Sequence, residues 1–332
     1  MEKQDNDVLI AGAGPIGIAC AISAKRAGLD PLMIDAGAVV NSIVHYPPQM
    51  VFFTTPELLE IGGHPFPCSG AKPRRDEALK YYRGVVRAEG IRTQTYTKLR
   101  NVVRDGAMLR ADVTGPAGDE TIPCRMLVLA TGYFDHPNLL GVPGEDMPHV
   151  FTRFDEGHRS YGRKVVVVGG KNSAIEATLD LYRSGADVTM VYRHNEFRPT
   201  VKYWLRPDIE NRIAAGEIRA LFETDVVRFE DRSIVVRTKG QGEQKLEADR
   251  VYKLIGYHPG QDLFRRIGIT LDPENGKPAL DPDTFETNVR GVYMAGSITA
   301  GNKVSEIFIE NGRFDGEKIF GNRTVRNRSD GS

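Results

Sequence analysis

Twice in this chain an aliphatic run stops at a glycine turn and a helical pattern begins. The first turn, Gly12-Ala13-Gly14-Pro15-Ile16-Gly17, follows Val8-Leu9-Ile10. The second, Gly169-Gly170-Lys171-Asn172-Ser173-Ala174, follows Val165-Val166-Val167-Val168. A short aliphatic run bounded by glycine reads as a buried strand of a parallel sheet. The helix that opens after it exposes unpaired N–H groups and about half a positive charge at its N-terminus. A diphosphate binds there when glycine lets the backbone come close. The chain is therefore expected to be α/β, with two Rossmann-like dinucleotide-binding domains.

The ends of the next strands distinguish the two units. After the first helix, Pro31–Ile34 reads as a strand and Asp35 closes it. An acid about 20 residues past the glycines accepts hydrogen bonds from adenosine ribose hydroxyls. The second unit has no such acid. Its strand ends Val191-Tyr192-Arg193-His194, with Arg198 just beyond. Arg193, supported by His194 or Arg198, suits a 2′-phosphate; the rival reading is a solvated basic turn. Lys171 stands where a middle glycine is expected and Ala174 where the third is. Lys171 either reaches a phosphate or points to solvent. The first unit is expected to take FAD and the second NADPH, which implies electron transfer between a nicotinamide and a flavin.

Around these units the sequence predicts helices near 15–27, 76–89, 173–184 and 304–320. Strands are expected across 91–128 and near 188–192, 218–238 and 246–255. Residues 36–75 read as irregular, and long irregular segments inside a domain are usually functional. Leu254-Ile255-Gly256-Tyr257 echoes Ala130-Thr131-Gly132-Tyr133, and Val292-Tyr293-Met294 runs into a turn at Gly296-Ser297.

Composition narrows the function classes. Lys plus Arg and Asp plus Glu are both 44, so no net charge draws the chain to nucleic acid or anionic lipid. No apolar run approaches the ~20 residues of a membrane span, and the polar start has no signal pattern. A cytoplasmic location is the expectation. The three cysteines, Cys20, Cys68 and Cys124, form no CxxC pair and no metal-ligand spacing. No metal is expected.

In the order of these motifs the chain resembles the low-molecular-weight thioredoxin reductases, in which an NADPH domain is inserted into a split FAD domain. That resemblance implies an FAD-binding part at 1–143, an NADPH-binding domain at 144–258, a second FAD-binding part at 259–321 and a disordered tail at 322–332. It places Thr131, Gly132, Gly256, Gly296 and Ser297 at the cofactors and implies a homodimer. More closely, the chain is similar to the YpdA-type bacillithiol-disulfide reductases. The stretches that carry this are Val40-Asn41-Ser42-Ile43, Tyr46-Pro47, Phe52-Phe53, Leu59-Glu60-Ile61-Gly62, Lys72-Pro73, Gly170-Lys171-Asn172-Ser173-Ala174 and Ile307-Phe308-Ile309-Glu310-Asn311-Gly312-Arg313. They imply that Asn41, Ser42 and Tyr46 lie near the flavin.

Three positions depart from the resemblance. The thioredoxin reductase CxxC would fall on Thr152 and Asp155. The single thiol of the YpdA-type first turn would fall on Ile16. The usual Gly-Asp of the final turn is Gly296-Ser297. The expected acceptor is a small-molecule disulfide such as bacillithiol disulfide, reduced by the flavin directly or with Cys68 as relay. Cys68 sits before the basic Lys72-Pro73-Arg74-Arg75, and nearby cations lower a thiol pKa. Cys20 and Cys124 read as core. A ferredoxin- or flavodoxin-NADP reductase stays open, with Lys72, Arg74 and Arg75 as a dock for a small acidic redox protein. A flavin monooxygenase lacks its FxGxxxHxxxW fingerprint here, and a non-catalytic redox sensor remains the non-enzyme reading.

Overall fold

A computed structural model describes residues 6–303 and 306–321. The chain divides into two compact units. One holds the chain up to Val44, Met50–His136 and the chain from Tyr257; the other holds His45–Gln49 and Pro137–Gly256. The expected tail at 322–332 lies outside the described residues.

The first unit is built on a seven-stranded sheet. Asn6–Ala11 is central, flanked in parallel by Pro31–Ile34 and Gly118–Leu129, and Val292–Met294 joins Gly118–Leu129 in parallel. Lys98–Asp105, Met108–Gly115 and Gly118–Leu129 form the antiparallel meander. Register positions the site. Ala11 pairs with Ile34 and with Leu129, and Leu129 pairs with Met294. The residues that follow, Gly12, Asp35, Ala130 and Ala295-Gly296, therefore emerge along one carboxyl edge. Ligands of open α/β sheets bind at such an edge.

The second unit repeats the plan on a five-stranded parallel sheet. Its order is Arg219–Leu221, Asp187–Val191, Lys164–Val168, Arg250–Lys253, Val150–Phe151. Val168 pairs with Val191 and with Lys253, so Gly169, Tyr192 and Leu254 emerge together. The four valines divide by the period of two. Val165 and Val167 pack with the helix side beside Ile175 and Leu179, and Val166 and Val168 pack with Phe229, Ile234 and Val236. The latter belong to a three-stranded antiparallel sheet, Thr224–Glu230, Ser233–Thr238 and Glu243–Glu247.

Three expectations change. The irregular segment contains two short helical turns, Asn41–Val44 and Pro56–Leu59. A helix at Arg206–Ala214 was not anticipated; only Ile209 of its residues is buried, so it has no apolar stripe to read. The closing helix is two pieces, Ile309–Gly312 and Asp315–Phe320, and residues 304 and 305 of the expected helix lie outside the described residues. Two glycines weaken this stretch as a helix, and close packing requires both. A Cβ on Gly312 would meet Ile16 Cδ1 at 2.6 Å, and one on Gly316 would meet Cys20 Cα at 2.8 Å. Among the described residues no helix is long and apolar enough to cross a membrane.

Candidate cofactor site

The first glycine turn is shaped by backbone contacts. Gly12 has φ +116°, and a Cβ there would lie 2.2 Å from the Ala130 carbonyl oxygen. A Cβ on Gly17 would lie 1.9 Å from the Gly12 carbonyl oxygen. Gly14 is different. Its φ of −73° suits any residue, and no atom lies within 4 Å of a Cβ built on it. Nothing in the protein requires glycine at Gly14, whereas a close-approaching diphosphate does. The helix Pro15–Arg26 behind it carries no side-chain cap, which leaves its first N–H groups for a ligand. These features fit the FAD diphosphate.

Asp35 wraps this turn. It accepts hydrogen bonds from Ala13 N–H and Gly37 N–H, each at 2.7 Å. Val40 N–H then donates to the Ala13 carbonyl at 2.9 Å. Val40 is buried with φ +52°, a costly conformation for a β-branched residue. Burial pushes the Asp35 pKa up, the two N–H groups pull it down, and the neighbouring Asp135 adds to the rise, for a net increase. A carboxylate has about four lone-pair sites, so two N–H donors leave room for ribose hydroxyls. Asn41 lies across Gly37, where a Cβ would be 2.3 Å from its Oδ1. Asn41 and Ser42 both lie in the short helical turn Asn41–Val44, while Tyr46 falls in the segment grouped with the second unit.

At the same edge, Thr131 and Gly132 follow Ala130, and Gly132 takes φ +65°. Gly296 has φ +76°, its N–H donates to Asp315 Oδ2 at 2.7 Å, and its carbonyl accepts from Thr299 Oγ1 at 2.8 Å. Ser297 is the next residue of this 3-10 turn, Gly296–Ala300. Sequence reasoning missed Asp315, because an acid between Phe314 and Gly316 gives no sign of burial. Burial pushes its pKa up to about 6, against the opposing pulls of the Gly296 N–H and Lys318. The folded pKa lies above the free value, so the stabilisation is complete below about pH 4 and fades as pH rises through about 6. Asp315→Asn keeps an acceptor for Gly296 and removes the charge. The wild type is expected to lose up to about 3 kcal/mol relative to this variant between about pH 4 and about pH 8. Denaturant unfolding of both proteins at the two pH values measures it.

The second turn repeats the backbone logic with different side chains. Gly169 has φ +137°, and a Cβ would meet the Leu254 carbonyl oxygen at 2.4 Å. Gly170 lies on the Tyr192 ring, where a Cβ would approach to 2.5 Å. Ala174 is buried in the third-glycine position. Lys171 is exposed at the position before the helix Asn172–Arg183, which carries no side-chain cap, and Ser173 is exposed in its first turn. At the neighbouring strand end, Arg193 Nε lies 3.4 Å and Arg198 Nη2 3.1 Å from His194 Nε2. Partial burial and then the two guanidiniums hold His194 below the usual imidazole range. Two guanidiniums gathered about one imidazole fit a phosphate monoester. Gly256, φ +94°, closes this edge, with its carbonyl accepting from Asn138 N–H at 3.0 Å.

The sequence pattern of the pyridine nucleotide-disulphide oxidoreductases matches residues 9–296. Bacilliredoxin reductase Bdr of Bacillus subtilis is 43% identical over 311 residues, which are 94% of this chain and 95% of that protein. The solved bacillithiol disulfide reductase Bdr (YpdA) of Bacillus cereus shares the fold with a TM-score of 0.94 at 39% identity, covering 97% of this chain and 100% of its own. A ferredoxin–NADP reductase of Ignicoccus hospitalis is 28% identical over 302 residues, 90% of this chain and 91% of that protein. This chain belongs to the pyridine nucleotide-disulphide oxidoreductase family. It is an NADPH-dependent flavin oxidoreductase, with FAD and NADPH as cofactors.

Within this pyridine nucleotide-disulphide oxidoreductase the usual dithiol positions hold other chemistry. Asp155 pairs with Arg159 at 3.2 Å and accepts from Tyr252 Oη at 3.4 Å. Ile16 fills the space over Gly296 and Gly312. Burial, and then Asp315, push the Cys20 thiol far above the usual range, and burial raises Cys124 to about 12. Neither forms a thiolate at neutral pH. Cys68 is partly exposed and donates to the Gly70 carbonyl at 2.9 Å. Two of the cations near it in sequence, Arg74 and Arg75, have other partners. Arg75 donates to the Ile43 and Val44 carbonyls at 3.0 and 2.5 Å, and Arg74 pairs with Asp76 at 3.6 Å. His64 lies 2.7 Å from Glu89.

Proposed function

We propose that the enzyme uses NADPH to reduce a low-molecular-weight disulfide of the bacillithiol disulfide type. The reaction consumes NADPH, a proton and one disulfide, and yields NADP+ and two thiols. Bound FAD supplies the two-electron chemistry between nicotinamide and acceptor. The observation that carries the reading is a pair of glycine turns at the carboxyl ends of parallel strands in two sheets, one followed by Asp35 and the other by Arg193, His194 and Arg198. Gly14 and the uncapped helix behind it hold the FAD diphosphate, and Asp35 its ribose. Lys171 and the first turn of Asn172–Arg183 hold the NADPH diphosphate, and Arg193 and Arg198 its 2′-phosphate. The acceptor rests on full-length similarity to the Bdr enzymes. A cytoplasmic homodimer belongs to the same proposal.

The absence of a dithiol and of a thiol at Ile16 favours direct reduction of the acceptor, and it also supports a second reading, a ferredoxin-type NADP reductase. Anaerobic mixing with NADPH followed by parallel assays with bacillithiol disulfide and with ferredoxin separates them. Turnover is expected with the disulfide; turnover with ferredoxin alone selects the second reading. Unchanged disulfide turnover in Cys68→Ser removes that thiol from the mechanism. Arg193→Ala with Arg198→Ala is expected to lower kcat/KM for NADPH by at least roughly 100-fold and to leave NADH unchanged, because each charge-assisted phosphate contact contributes about 1.5–3 kcal/mol.

A further inference from the structure

Two exposed aromatic residues stand beside the second phosphate turn. Tyr203 is 82% exposed and Trp204 46%. Their rings meet edge to face at 4.9 Å. Scattered exposed aromatics need no explanation; an adjacent pair held in place does. The holding is done by Lys202. Its N–H donates to Asn172 Oδ1 at 2.9 Å, and its ammonium pairs with Glu176 at 2.8 Å and lies 5.4 Å from the centre of the Trp204 ring. Asn172 and Glu176 lie on consecutive turns of one helix, so the segment is strapped along the start of the helix that cradles the diphosphate. Upstream, Val201 N–H donates to the Arg198 carbonyl at 3.1 Å, and Val201 and Phe197 are buried. The aromatic pair therefore begins one tight turn after the 2′-phosphate cation, on a segment pinned at both ends.

We infer that Tyr203 and Trp204 contact the cofactor and stack on the adenine of NADPH, an inference that rests on the assignment of the Arg193–Arg198 cluster to its 2′-phosphate. The Lys202–Glu176 pair neutralises the one cation of this segment, so the wall it offers is aromatic rather than basic. A flat, electron-rich surface suits a purine ring. The strap to Asn172 and Glu176 fixes the wall in advance, which lowers the ordering cost of binding.

The chain has one tryptophan, so its emission reports on Trp204 directly. The flavin-loaded enzyme is titrated with NADP+ and separately with 2′,5′-ADP, with calorimetry in parallel. Both ligands are expected to quench tryptophan emission with the saturation seen by heat. Tyr203→Ala and Trp204→Ala are expected to bind 2′,5′-ADP roughly five- to tenfold more weakly, and Trp204→Phe within about twofold of wild type. Binding of 2′,5′-ADP by heat, with unchanged emission and wild-type affinity in both alanine variants, overturns the adenine contact and leaves the phosphate site standing. No binding of NADP+ or 2′,5′-ADP to the wild type overturns the site assignment itself. The quenching measurement uses only the wild type, so it holds even if a variant fails to fold.

Discussion

A Gly14→Val protein is expected to fold and to purify without flavin, whereas Gly12→Ala is expected to lose much of its stability. Both residues belong to one turn, yet different neighbours demand their glycine. At Gly14 the backbone is extended and a Cβ meets nothing within 4 Å. The cost to the apoprotein is that of a poorer helix N-cap, about 1 kcal/mol. The added methyl groups occupy the space through which a diphosphate reaches the helix N-terminus, so flavin binding is lost by orders of magnitude. At Gly12 the φ is +116° and a Cβ falls 2.2 Å from a backbone oxygen that cannot rotate away. Strain of about 1–3 kcal/mol and overpacking of about 1–3 kcal/mol add up. Their sum, about 2–6 kcal/mol, is a large share of the stability of a typical domain, about 5–15 kcal/mol. Flavin absorbance per protein and thermal unfolding of the two apoproteins distinguish the cases. A Gly14→Val protein that retains stoichiometric flavin would show that no diphosphate approaches this turn.

The parts of the site that could be read in the sequence are those built from local periodicity. Val8-Leu9-Ile10 and Val165–Val168 announce buried strands, because only a sheet covered on both faces tolerates unbroken aliphatics. Asp35 and Arg193 follow at strand ends, where parallel geometry fixes their height relative to the turns. What stayed hidden depends on contacts distant in sequence. Asp315 is buried because Asp315–Phe320 packs onto Pro15–Arg26 and sets its carboxylate under Gly296, and nothing in Phe314-Asp315-Gly316 announces this. Val40 adopts a left-handed backbone that its own side chain disfavours, held by its bond to Ala13. The charges near Cys68 illustrate the reverse error. Lys72-Pro73-Arg74-Arg75 looks like a basic face, but Arg75 spends its guanidinium on two backbone carbonyls of the Asn41–Val44 turn. A charged run in sequence does not reveal which of its members point outward.

Removing Glu145 should cost the second unit about 3–5 kcal/mol. Lys253 is 2% exposed at the end of the strand Arg250–Lys253, and its ammonium pairs with Glu145. Glu145 also accepts from Leu140 N–H at 2.6 Å and Gly141 N–H at 2.9 Å. Burial raises the Glu145 pKa, but the N–H of Leu140, the Lys253 ammonium and the N–H of Gly141 outweigh it, so the net shift is downward. In the wild type that stabilisation is present above the free carboxyl range and is lost only as pH falls below it. Glu145→Ala leaves an ammonium buried without its counter-ion, and this is the source of the cost. Lys253→Met in the same protein removes the buried charge and should recover part of the loss. Denaturant unfolding of the single and double variants measures the loss and the recovery. A Glu145→Ala protein as stable as the wild type would mean that Lys253 finds water or another acid. The consequence reaches the cofactor, because Leu254 follows Lys253 directly and its carbonyl lies against Gly169. A strand end loosened by an unpaired charge should widen the second phosphate turn, and NADPH affinity should fall together with stability.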